Sequence, residues 1–220
     1  MLSCQCPSAS ALPTIPTVLC AESFGQIQKV AFQRLKKADG TKNFFDEGST
    51  NHIEDLASWT PLLTAADGSK VVVSPYIEAP TSEGGAARTF GGGNETLGGV
   101  EVVVGREPTA FTGVMRNIPQ GTAKLLKELQ CEALSGNLGV FLFDEFGNIE
   151  GVADDPTAAN KKVYPIPIRS LFIGDKTHGG LEAPDSNAIQ WSFLPNYSDN
   201  LIIAAPTDFN PLTDLVVSAS

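Results

Sequence analysis

The sequence predicts a mainly β protein of the α+β class: an antiparallel β-sandwich or half-barrel with one packed amphipathic helix, long loops and an extended N-terminal arm. Three observations lead there. The 21 glycines and 15 prolines are spread along all 220 residues, as in many strands joined by turns. Sustained helical periodicity occurs in one place, Gln120–Ser135. Residues 187–194 alternate strictly, with Ile189, Trp191 and Phe193 on one face and Gln190 and Ser192 on the other. The expected organisation is an arm over residues 1–23 and a single β-rich domain over residues 24–220, with a Gly-rich loop at 79–99.

In chain order, the arm interleaves Pro7, Pro13 and Pro16 with Ser, Thr and Ala, which gives neither helical nor strand periodicity. Residues 26–35 predict the first strand, Val30 and Phe32 alternating with Lys29, Ala31 and Gln33. Ile53, Leu56 and Trp59 are spaced for a short helical turn that ends before Pro61, with Trp59 as a core anchor. The Asp67-Gly68 turn leads into a second strand over residues 70–77. Residues 79–99 offer only Phe90 and Leu97 as core candidates and read as a long, mobile loop. Strands follow at residues 100–104 and 109–115.

The helix places Leu125, Leu126, Leu129 and Ala133 on one buried stripe and Lys124, Lys127, Glu128 and Glu132 on the other side. Pro119 and Gly121 mark its start, and Gly136 is placed to end it in a left-handed conformation. Residues 139–143 are apolar on both faces and should be covered on both. Phe146-Gly147-Asn148-Ile149 reads as a two-residue type II′ hairpin turn. Residues 153–162 form a polar loop, and 163–173 a strand that is an edge or bulges at Pro165 and Pro167. Residues 196–200 turn the 187–194 strand back on itself, so that 201–205 complete a terminal hairpin. Phe209, Leu212 and Leu215 should pin the tail to the body.

Composition narrows the function. A net charge of −10 excludes wrapping or groove reading of nucleic acid, which needs a basic footprint. Only 18% of residues are charged against 42% apolar, a balance suited to a chain whose surface becomes interface. Cys4, Cys6 and Cys20 lack the paired spacing of a zinc site, and His52 and His178 lie far from them in sequence; free thiols are expected, with no metal. The glycines around Gly91-Gly92-Gly93 match neither phosphate-binding fingerprint, so no nucleotide cofactor is expected. Asp144, Glu145 and Glu150 fail the calcium-loop pattern, because Phe146 and Ile149 occupy a ligand and the glycine position. No nucleophile–base arrangement stands out, and the expectation is a protein that is not an enzyme and has no catalytic residue. No secretion signal and no run of 18 apolar residues is present, so neither export by a leader nor a membrane span is expected.

Several stretches carry a resemblance. SFGQIQKVAFQRL, ASWTPLL, SPYIEAP, GGAARTFGGGNETLGGVEVVVGREPTAFTG, YPIPIRSLFIGDK, PDSNAIQWSFLPNYSDN and PTDFNPL resemble virion structural proteins of phages and prophages of Bacteroides-like gut bacteria, over nearly the whole chain beyond the arm. Within a virion the plan is similar to that of tail tube proteins. That resemblance implies hexameric rings stacked into a tube, assembled in the host cytoplasm and located in the virion tail. The partners implied are further copies of the chain and other tail proteins, with DNA passing an acidic lumen without specific binding. No binding motif transfers residue by residue. The residues expected at the subunit interface are Phe90, Gly92, Asn94 and Leu97 in the loop and Pro13 and Pro16 in the arm. The chain is longer than a minimal tube subunit, which keeps open a tail-completion, head–tail connector or capsid-decorating role. A ligand- or glycan-binding β-domain is the alternative of a different class, with Trp59, Trp191 and Tyr197 as its aromatic candidates.

Overall fold

The structure, a computed structural model, describes residues 24–216 together with Ile15. The arm, with Pro13, Pro16 and the cysteines at 4, 6 and 20, lies outside the described residues. Contacts group the described chain into two compact units, one of residues 24–84 and 108–216, the other Gly85–Glu107.

The larger unit begins with β1 (Ile27–Arg34), β2 (Phe45–Asp46), α1 (Leu56–Thr64), β3 (Val71–Val73) and β4 (Glu78–Glu83). The smaller unit holds β5 (Ala87–Phe90) and β6 (Val102–Arg106). The chain then contributes β7 (Thr109–Arg116), α2 (Gln120–Ser135), β8 (Leu138–Asp144), β9 (Ile149–Ala153), β10 (Lys162–Tyr164), β11 (Ile166–Ile173), β12 (Ser186–Phe193) and β13 (Leu201–Ala204). Every named strand pairing is antiparallel. In the larger unit the strands run β2-β10-β9-β8-β11-β12-β7-β4, with β1 and then β3 attached beside β8, and β13 beside β9. This is the expected mainly β body with one packed amphipathic helix, joined by the short α1.

The wall shared by two cores is made by β1 and β8. Val30, Phe32, Val140 and Leu142 face one core with Phe111, Leu126 and Trp191. Ala31, Phe141 and Phe143 face the other, with Phe45, Trp59 and Leu215. All seven residues of β8 are therefore buried, as its continuous apolar run requires. The same geometry corrects the reading of β1, whose Lys29 and Gln33 are buried rather than solvent-facing. Lys29 keeps a partner by donating Nζ to the Leu212 carbonyl at 2.7 Å. Trp191 stacks on Phe111 with ring centroids 3.9 Å apart, and Trp59 meets Phe141 edge-on at 5.3 Å.

Helix α2 has the predicted bounds, and Gly136 ends it at φ 75° and ψ 21°. Its buried stripe differs from the expectation: Leu126 and Ala133 are buried and Leu129 half-buried, but Leu125 is 63% exposed. Leu125 directly precedes Leu126, so the rotation of about 100° per residue carries it off the face that meets β11 and β8. Helix α1 does not stop before Pro61 but contains it, because buried Trp59 and Leu63 hold both sides of the proline on the second core.

Other boundaries also moved. The 70–77 strand reduces to β3, since Pro75 cannot donate to a ladder. The 79–99 segment is not one loop: β4 pairs with β7, β5 pairs with β6, and the loop proper shrinks to the glycine turn between β5 and β6. The β8–β9 turn is wider than a two-residue hairpin. Asp144 accepts the Gly147 N–H at 3.1 Å through its carbonyl, and its carboxylate accepts the N–H groups of Phe146 (2.9 Å) and Asn148 (2.8 Å). Gly147, at φ 85°, closes this turn rather than opening it. The prolines split 163–173 at Pro165, while the irregularity within β11 falls later, between Arg169 and Phe172. Finally, β13 pairs with β9 and not with β12, because the turn at Tyr197–Asn200 delivers Ile202 and Ala204 to the second core.

Candidate assembly surface

The smaller unit is a two-stranded ribbon. Ala87 pairs with Arg106, Arg88 with Gly105, Thr89 with Val103 and Phe90 with Val102, one extra residue bulging from β6. The turn between the strands is held by Thr96, whose hydroxyl accepts the Gly92 N–H at 3.0 Å and donates to the Val100 carbonyl at 2.7 Å. Gly91 is required there: it adopts φ 87°, and a Cβ at that position would fall 2.0 Å from the Thr96 methyl. Arg88 and Glu107 close the open end as an exposed ion pair at 3.6 Å.

This ribbon buries none of its large apolar side chains. Phe90 is 60% exposed, Leu97 fully exposed, and Val100, Val102, Val103 and Val104 are each more than half exposed. The three consecutive valines put apolar surface on both faces of one strand. A lone two-stranded ribbon is marginal in water, and an apolar patch of this kind marks a contact surface.

The larger unit presents a groove of about 680 Å³ around β3. One wall carries Leu125 and Leu129 of α2; the other carries Leu63 of α1 with Leu215 and Val216. Arg34 and Glu132 form an ion pair on the α2 side. Gln33 lines the groove and donates Nε2 to the Ser69 carbonyl at 2.8 Å. On one side β3 is paired with β1, and no other strand accompanies it among the described residues.

Of the residues expected at an interface, Phe90, Gly92, Asn94 and Leu97 lie together on the ribbon and its turn, with Asn94 exposed and Gly92 half-exposed. Val102, Val103 and Val104 are exposed beside them but were not among the expected residues, although three successive valines carried the signal. The groove was missed as well; its signal was a helix stripe one leucine too wide. Asp144, singled out with its neighbours as a possible cation ligand, is buried and spends its carboxylate on backbone and Asn148 donors. Burial first, and the Asp144 charge second, push the Glu150 carboxyl up to about 7. His52 lies 2.9 Å from Glu47, a contact that raises its pKa.

Among the described residues no three His, Cys, Asp or Glu side chains group as a metal site would require. No described helix is long and apolar enough to cross a membrane. No protein-family model matches the chain, and no curated protein is significantly similar to it.

Proposed function

We propose that this chain is a structural subunit of a phage virion, a tail tube protein that assembles in the host cytoplasm into stacked hexameric rings. The observation that carries the reading is the ribbon of β5 and β6, whose apolar side chains are all exposed and which needs cover from a second copy. The resemblance of the quoted stretches to virion proteins supplies the setting. The net charge of −10 suits a lumen that DNA traverses without adhering, because like charges repel. The protein's partners on this reading are copies of itself and other tail proteins, and it catalyses no reaction.

A glycan-binding role loses its aromatic candidates. Trp59 and Trp191 are buried, and Tyr197 is stacked on Phe193 with centroids 4.4 Å apart. Sedimentation of the purified full chain followed by negative-stain electron microscopy tests the proposal. Rings or hollow tubes are expected. A monomer that persists at high concentration would overturn it, and discrete particles without a channel would move the role to connector or decoration.

A further inference from the structure

The larger unit has an apolar-walled groove around β3, and the smaller unit has an exposed apolar ribbon. Among the described residues one edge of β3 has no strand partner, and the groove reaches both faces of that edge, with α2 on one face and α1 with the chain's last described residues on the other. A strand laid along the edge would be covered on both faces, so it must be apolar on both. Among the described residues, Val102, Val103 and Val104 form the one run of three consecutive exposed large apolar side chains. Among the described residues they also lie on a strand whose one strand partner is β5.

The geometry points to strand addition between copies: β6 of one subunit lies antiparallel along the open edge of β3 in its neighbour. This rests on the assembly reading above and names the surfaces that make it. Antiparallel pairing is the only kind the named strands use. With Val72 opposite Val103, Val71 meets Val104 and Val73 meets Val102. Val72 pairs with Phe32 across β1 and shares its face, so Val103 would enter the side walled by Leu125 and Leu129. Val102 and Val104 would enter the side of Leu63 and Leu215. Main-chain hydrogen bonds along the edge would supply affinity, and the two walls would select the valines.

Donor strand and acceptor edge are different parts of the chain, so each copy gives one and receives one. Such a head-to-tail contact repeats around a ring when its rotation closes.

The test is a disulfide between copies. Two full-length proteins, each with Cys4, Cys6, Cys20 and Cys131 replaced by Ser, carry Val72→Cys in one and Val103→Cys in the other. Directly opposed strand residues have Cβ atoms about 4.5–5.5 Å apart, near the reach of a disulfide. Mixing the two under mild oxidation should yield a covalent dimer that neither protein forms alone. Val73→Cys mixed with Val102→Cys should do the same from the other wall. Assembly by sedimentation without either link would overturn strand addition and leave the assembly reading standing. A chain that stays monomeric would overturn both. A link formed only inside a single chain carrying Val72→Cys and Val103→Cys would mean that each copy's own ribbon fills its groove, which also refutes the proposal.

Discussion

Replacing Glu150 by Gln should flatten the pH dependence of stability between acid and neutral pH. Glu150 sits in β9 opposite Leu142 of β8 and Ile203 of β13, and burial with the Asp144 charge raises its carboxyl from 4.5 to about 7. Below pH 4.5 the carboxyl is protonated whether the chain is folded or not, and the folded state bears no charge penalty. As pH rises, the unfolded chain releases its proton first. Folded stability therefore falls through this window, and the loss is complete once pH passes about 7. At about 1.4 kcal/mol per pH unit of displacement, the full effect is about 3 kcal/mol. Urea melts from pH 4.5 to 8 on the natural chain and on Glu150→Gln would measure it. The stability difference between them should shift by about that amount against the natural chain as pH rises. His52, whose raised pKa acts in the same direction, is common to both proteins and cancels in the difference. Asp144→Asn should move the midpoint of the transition towards acid, since its charge is the second cause of the shift. Parallel curves for the natural chain and Glu150→Gln would refute the reasoning.

Leu126→Ala should lose about 2–5 kcal/mol in denaturant melts, because Leu126 is buried beneath α2. Leu125→Ala should change stability by no more than about 0.5 kcal/mol, and equal losses at the two positions would show that the helix face is misassigned. Gly136→Ala should cost about 1–2 kcal/mol, as its φ of 75° disfavours any Cβ; an unchanged urea midpoint would contradict that. Val103→Asp should abolish large species in sedimentation while leaving the thermal midpoint of the monomer, measured at a concentration too low for assembly, unchanged. A lowered midpoint would instead make Val103 part of the fold.

Much of the body was legible because single elements declare their period. The helix Gln120–Ser135 carried both its apolar stripe and its terminating glycine, and residues 187–194 carried strict alternation. Partners were less legible, because pairing is settled by packing at long range. Residues 201–204 look like the return strand of a local hairpin, yet they cross to β9, where Ile202 and Ala204 find the second core. Buried Lys29 and Gln33 were unreadable for a related reason. Polar side chains in an alternating strand normally mark the wet face, and only the second core, with acceptors at Leu212 and Ser69, makes them tolerable inside. For the contact surface, the exposed Phe90 and Leu97 were visible as apolar residues without a periodic home. The groove depends on α1, α2, β3 and the tail coming together, and no local pattern encodes that meeting.

The pairing of β1 with β8 has a consequence for how the chain is made. Gly25 and the Asp144 carboxylate that receives its N–H are 119 residues apart, and the strands between them hold the wall of both cores. A ribosome adding about 5–20 residues per second therefore leaves β1 without that wall for roughly 6–24 s, while the apolar ribbon has already emerged. Closing so long a loop also places the formation of both cores among the late, slow steps of folding. Throughout that interval the nascent chain displays its stickiest strand before the groove that would receive it is complete, because α2 forms one of the walls. The order of synthesis thus presents the apolar strand before the groove around β3 has its α2 wall.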